Sequence, residues 1–139
     1  MSEIAYIALG SNLGDRAAYL AGARVALASL PHCRLCAATQ VEETAPLGGT
    51  PQSPYLNQMV ALRSAMEPLA LLHQLHRIER RFGRVRGVRW SPRTLDLDIV
   101  RFGTRRVTAH ELEIPHPGIS HRRFWQREIA ELDRAIGDV

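Results

Sequence analysis

The chain contains no lysine: all 18 of its basic side chains are arginine. That excludes a P-loop lysine of the Walker type, a Schiff-base lysine and a kinase-type strand lysine. Any nucleotide handling must therefore rest on arginine, backbone N–H groups and metal. Part of the bias is compositional, and Arg16, Arg24, Arg34 and Arg134 read as surface positions with Arg in place of Lys. Cysteine is scarce too. Cys33 and Cys36 form one C-x-x-C, but a structural zinc site needs four ligands and there is no second pair. His32 would add a single nitrogen. Residues three apart on a strand face opposite ways, so half-buried thiols are expected rather than a disulfide. Long apolar runs are missing, so no transmembrane helix is expected. The first ten residues read as a strand without a basic region or cleavage site, so a cytoplasmic chain is expected.

What is present reads as one domain over residues 1–139, large enough to bury its own core. Residues 4–9 form a short apolar strand. Asp15 is a plausible N-cap, and Leu20, Ala23, Leu27 and Leu30 recur at helical spacing before Pro31. Residues 34–42 read as a second strand. Residues 44–54 hold three prolines and two glycines and read as a loop of functional length. Residues 56–63 form a third strand. Pro68 opens a helix with the stripe Leu71, Leu72, Leu75, Ile78 and Phe82, and Gly83 suits its C-terminus. Residues 84–93 are a second loop, and residues 95–102 a fourth strand. Residues 105–107 are expected to pair with that strand through a Gly103-Thr104 turn. Trp125, Ile129, Leu132 and Ile136 mark a last helix. The order β-α-β-β-α-β predicts an α+β, ferredoxin-like sandwich with a mainly antiparallel sheet and helices on one face.

The most informative stretch is WSPRTLDLD, residues 90–98. Asp96 and Asp98 alternate with Leu95, Leu97 and Ile99. On a strand both carboxylates share one face, roughly 7 Å apart along the chain. They repel unless a cation lies between them. Oxygen ligands without Cys or His suit Mg²⁺, which takes one or two carboxylates plus substrate phosphates. Arg84, Arg86, Arg89 and Arg93 lie just upstream, with forked donors suited to phosphate oxygens. Together these point to phosphoryl-type transfer from a nucleotide. A lone D-x-D is more often a solvated sheet face; with the neighbouring arginines and Trp90 the metal reading stands level with that one. Ten arginines crowd residues 77–106 against Glu79, Asp96 and Asp98. Such a patch suits a nucleic acid or one polyanionic small molecule, and the embedded carboxylates favour the second.

With these pieces in place, the chain resembles the 6-hydroxymethyl-7,8-dihydropterin pyrophosphokinases of folate biosynthesis. The matching segments are YIALGSNLGD, ETAPLG, PYLNQMV, RIERRFGRVR, RWSPRTLDLDIV and IPHPGISHRRF, in that order. The resemblance implies transfer of diphosphate from ATP to the pterin hydroxymethyl group, with release of AMP. It implies two Mg²⁺ ions on Asp96 and Asp98, and phosphate-clamping by Arg84 and Arg93. It places Glu79, Arg86, Val100, His116 and Arg122 on the ATP side. Thr44, Leu47, Tyr55, Asn57, Trp90 and Phe124 fall on the pterin side, with Asn12 as a brace. The partners implied are ATP and a reduced pterin, with no nucleic acid and no membrane. A monomer is expected, with a dimer as the alternative. His73 and His76 read as a solvated helix face.

The chain departs from the family pattern in places. It looks shortened around Glu128-Ile129-Ala130, and the loop between Arg86 and Trp90 seems one residue shorter. Glu113 stands where a small or neutral residue is usual. The alternatives are a homologue that binds without turnover, the same chemistry on another pterin, and a basic nucleic-acid-binding domain. The last would need aromatics displayed on the sheet, and the strands hold few.

Overall fold

The computed structural model describes residues 2–45, 53–83 and 94–137. The first strand, β1 (Glu3–Ser11), leads into helix α1 (Arg16–Ala28). Then come β2 (Cys33–Ala38), β3 (Glu42–Thr44) and β4 (Tyr55–Ser64). Helix α2 (Pro68–Arg81) precedes β5 (Asp96–Phe102). A short hairpin, β6 (Val107–Thr108) with β7 (Glu113–Ile114), and a 3-10 turn at Pro117–His121 lead to helix α3 (Arg123–Ile136). The sheet order is β2-β4-β1-β5 with β3 added on β4, and every pair is antiparallel. This is the ferredoxin-like arrangement expected.

β1 is the middle of the sheet and is covered on both faces, which is why it reads as a continuous apolar run. Ala5, Ile7 and Leu9 join Val60, Leu62, Leu97 and Ile99 under α1 and α2. Tyr6 and Ala8 face the other way, with Met59, Ala61 and Val100, and meet Trp125 and Leu132 of α3. The expectation of helices on one face thus holds for α1 and α2, while α3 closes the other.

Local signals behave as their chemistry demands. The Asp15 carboxylate caps α1 by accepting from the Ala18 amide at 3.1 Å. Pro68 takes the first position of α2, and Gly83 at φ +81° ends it, its N–H reaching the Arg80 carbonyl at 3.1 Å. Cys33 and Cys36 are half-buried free thiols packed into opposite cores.

Two expectations need correction. Residues 34–42 are not one strand, because Thr39 breaks the ladder. Its hydroxyl accepts from the Met59 amide at 3.0 Å, and its carbonyl is taken by Gln58 Nε2 at 2.7 Å. The chain leaves the edge and re-pairs as β3, with Glu42 opposite Asn57. Residues 105–107 do not pair with β5. Gly103 N–H returns to the Ile4 carbonyl at 2.8 Å and Arg105 turns back onto Glu3, so the chain exits and β6 pairs with β7.

β5 carries a bulge. Tyr6 faces Arg101 and Ile7 faces Ile99, leaving Val100 as the extra residue. Strict alternation would have driven Arg101 into the core beside Ile99. The bulge puts Phe102 there instead and leaves Arg101 to pair with Asp133 and lie 4.4 Å over the Tyr6 ring. Tyr6 donates to Asp133 at 2.6 Å, and burial together with that carboxylate pushes the phenol up to about 12.

Leu75 is wholly buried between α2 and the sheet. Leu75→Ala should cost about 3 kcal/mol through lost contacts and a residual cavity. Urea unfolding should show a lower midpoint with an unchanged slope.

Candidate functional site

The site is built on the face of the sheet that α3 covers, where β1 reaches its C-terminal end. Four strands present one row of in-register residues: Glu42, Asn57, Gly10 and Asp96. The next row holds Met59, Ala8 and Asp98. Both aspartates thus stand on one face, as the alternation predicts, and both are half-buried.

Gly10 keeps the middle of the first row low. A Cβ there would lie 3.3 Å from Asn57 Oδ1 and 3.3 Å from Tyr55 Cδ1. The absent side chain lets both neighbours lean in over the strand. Asn57 is held from the neighbouring strand: its Nδ2 donates to Thr44 Oγ1 on β3. Asn12, buried, donates from Nδ2 to the Ser53 carbonyl at 3.1 Å and so ties the end of β1 to the approach to β4. Arg16 makes a second tie, to the Pro54 carbonyl at 2.8 Å and to Glu43 at 3.1 Å.

On the other side of Gly10 a cleft of about 480 Å³ opens between α2, β5 and the β6–β7 hairpin. Asp96, Asp98, Glu79, His76 and His116 all line it. Glu79 is 1% exposed, which rules out the plain surface charge that its place near the helix end also allowed. Its Oε2 accepts from the Leu97 amide at 2.8 Å. Leu97 lies between the two aspartates, so this carboxylate fixes the strand that carries them. The Val100 carbonyl accepts from the His116 amide at 2.9 Å, while the Val100 side chain is wholly buried under α3.

His116 is oriented from several directions. Its Nδ1 accepts from the Gly118 amide at 2.8 Å, which leaves the ring proton on Nε2. Nε2 stands 3.8 Å from Asp98 Oδ1, beyond a hydrogen bond. The ring meets Trp125 edge-on at 4.8 Å. Burial and then the Arg122 guanidinium push the imidazole down to about 4, so at neutral pH it is uncharged and makes no ion pair with Asp98. Arg122 stacks 4.3 Å above Trp125, and among the described residues its buried Nε has no hydrogen-bond partner. Phe124, half-buried, follows in the first turn of α3.

The structure therefore brings Asp96, Asp98, Glu79 and His116 into one cleft, with Val100 behind it and Arg122 beside His116. Thr44, Tyr55 and Asn57 gather on the far side of Gly10. Leu47, Arg84, Arg86, Trp90 and Arg93 lie outside the described residues. His76 was read as part of a solvated face, yet it lines the cleft one turn before Glu79. Its spacing of three from Glu79 and four from Leu72 was the available signal. His73 does lie in solvent, 3.4 Å from Glu111 of the hairpin. Among the described residues no group of three or more metal-ligating side chains occurs. The aspartates thus offer a cation two carboxylates and open space.

Comparison with known proteins agrees with this arrangement. The model of the 7,8-dihydro-6-hydroxymethylpterin-pyrophosphokinase family matches residues 6–134. The 2-amino-4-hydroxy-6-hydroxymethyldihydropteridine pyrophosphokinase of Bacillus subtilis is 39% identical over 136 residues, covering 98% of this chain and 81% of that protein. The enzyme of the same name from Methylorubrum extorquens is 40% identical over 135 residues, covering 96% of this chain and 85% of that protein. The bifunctional protein FolKE of Lactococcus lactis is 33% identical over 130 residues, which cover 94% of this chain but 37% of that longer protein.

Glu79→Ala should remove the acceptor from a buried amide and cost about 2 kcal/mol. Glu79→Gln keeps a carbonyl oxygen and should cost clearly less. Thermal unfolding of the two variants beside the parent chain checks the order.

Proposed function

The chain belongs to the 7,8-dihydro-6-hydroxymethylpterin-pyrophosphokinase family, and we propose from this how its residues divide the work. It is an ATP-dependent pyrophosphokinase of folate biosynthesis. The finer assignment runs as follows, with residues 1–139 acting as one catalytic domain.

Asp96 and Asp98 hold two Mg²⁺ ions. The donor set fits: two hard carboxylates on one strand face, half-exposed, opening into a cleft with room for waters and phosphates. Bound there, the metal would neutralise phosphate charge and help to align the in-line displacement. Glu79 keeps the intervening backbone in place. A neutral His116 leaves the charge of Asp98 intact for a cation while its Nε2–H faces the nucleotide side. Arg122, stacked on Trp125 beside His116, carries a forked guanidinium that suits a nucleotide oxygen. Val100 supplies the backbone that seats His116. Arg84 and Arg93 clamp the transferred phosphates, and Arg86 adds a further nucleotide contact. A cleft of about 480 Å³ is of a size to take part of a nucleotide.

The pterin lies across Gly10. Asn57 reads its donor–acceptor edge, braced by Thr44, and Tyr55, Trp90 and Phe124 supply flat faces, with Leu47 at the rim. The observation that carries this reading is the single row across the sheet. It sets an edge-reading amide and a metal-binding carboxylate two strand spacings apart, roughly 10 Å. A bicyclic heterocycle bridges that gap with its hydroxymethyl group pointing at the phosphates. The partners are therefore ATP and the reduced pterin.

The experiment is a product assay with Mg-ATP and 6-hydroxymethyl-7,8-dihydropterin that resolves AMP from ADP. Pterin-dependent AMP with a matching pterin diphosphate is expected. ADP, or AMP formed without pterin, would contradict the assignment. Asp96→Ala should lower AMP formation by about 10³-fold, in line with loss of a group that stabilises transferring charge. Its circular dichroism and unfolding midpoint should stay near those of the parent.

A further inference from the structure

Glu128 is a buried carboxyl that the reaction just described does not use. It is 4% exposed, and among the described residues neither carboxylate oxygen has a partner at hydrogen-bond distance. The facing polar side chain is Thr39. Its hydroxyl is already engaged, accepting from the Met59 amide and donating to the Gln40 carbonyl at 3.3 Å. An ionised carboxylate without partners in such a place is costly, whereas the neutral acid is tolerated.

The surroundings reinforce this. β3 presents Glu42, and α3 itself presents Arg127 and Glu131. Arg127 is committed to Glu42 at 3.1 Å. β2 turns Cys36 and Ala37 to this layer, and β4 turns Met59 and Ala61. Tyr6 of β1 and Arg101 of β5 are both occupied with Asp133. Among the described residues, Arg127 is the cation that acts on Glu128, and it is shared with Glu42. Burial first, then the Glu42 carboxylate, push it up to about 8 against the opposing pull of Arg127 and, more weakly, of the Thr39 hydroxyl.

Its position links this group to the site. Phe124 precedes Glu128 by four residues and so shares its helix face. Glu42 stands directly opposite Asn57, which in turn holds Thr44. Glu128 thus sits where the first half of α3 meets the strands of the pterin side.

We propose that Glu128 is a positioning residue for the pterin: its uncharged carboxyl seats the first half of α3 on β2 and β4, and ionisation unseats it and shifts Phe124 on the pterin side. This rests on the pterin assignment above. The sign follows from linkage. The carboxyl holds its proton more tightly when seated than when exposed. The seat is therefore fully favoured below the ordinary carboxylate range and weakens as pH rises from there towards 8. Above about 8 even the seated carboxyl ionises.

The test measures the Kd of 6-hydroxymethyl-7,8-dihydropterin, with Mg²⁺ and a non-hydrolysable ATP analogue saturating, between pH 6.5 and 9. In the parent chain the Kd should be about threefold weaker at pH 9 than at pH 7 as the competent fraction falls. Glu128→Gln should bind close to the parent at pH 7 and show no comparable loss at pH 9. Ionisation of the pterin itself acts equally on both proteins, so their ratio isolates Glu128. Glu42→Gln removes a like charge and should move the parental midpoint to lower pH. This second variant decides the matter if Glu128→Gln does not fold. A Glu128→Gln profile that tracks the parent, or an unmoved midpoint in Glu42→Gln, overturns the proposal even if stability changes. Absence of pterin binding at pH 7 in the parent would instead overturn the pterin assignment.

Discussion

Everything in this site depends on the pairing of β1 with β4 on one edge and β5 on the other. That double pairing aligns Asn57, Gly10 and Asp96 in one row and Met59, Ala8 and Asp98 in the next. A slip by one residue would turn every side chain to the opposite face. The carboxylates would then fall beneath α2, and Leu97 and Ile99 would face the substrates. Apolar burial on both faces of β1 makes such a slip costly. The core therefore sets the register, and the register sets the chemistry. The bulge at Val100 lets one strand serve both ends of this arrangement. Before it, alternation displays the aspartates; after it, Phe102 returns to the core and Arg101 stays out.

The carboxylates fall into two kinds, set by their surroundings. Asp96 and Asp98 are half-exposed and open to a cleft, where charge can be used. Glu79 and Glu128 are buried, and each acts on structure. Glu79 satisfies a backbone amide, whereas burial makes Glu128 hold its proton. His116 follows the same logic with the opposite charge: burial beside Arg122 keeps it neutral, and the Gly118 amide chooses its tautomer. Near this site, environment matters more than residue type in deciding which groups carry charge.

Much of this was legible in the sequence, for local reasons. Asp15, Pro68 and Gly83 are residues whose preferred conformations suit one place in a helix, and they occupy it. The alternation around Asp96 and Asp98 declared a shared face, and the face is shared. What was not legible depended on distant partners. The break at Thr39 arises because its hydroxyl captures an amide 20 residues on. The adjacent apolar pair Ile99 and Val100 hinted at the bulge, but only the pairing with Tyr6 and Ile7 locates it. The hairpin of residues 107–114 could not be told from a continuation of β5, because Arg105 is pulled away by Glu3. His76 read as a solvent-facing helix position, and Glu128 was given no place in the core. Only the packing of α2 on β5, and of α3 on the second face of the sheet, puts them inside.

The central claim is that one row across the sheet serves metal at one end and pterin at the other. The most direct measurement is a crystal structure with Mg²⁺, a non-hydrolysable ATP analogue and 6-hydroxymethyl-7,8-dihydropterin bound together. The account predicts Mg²⁺ within about 2.1 Å of oxygens from both Asp96 and Asp98, with the pterin lying over Gly10 and its edge against Asn57. Metal held away from those two carboxylates, or a pterin seated elsewhere than over Gly10, would contradict it.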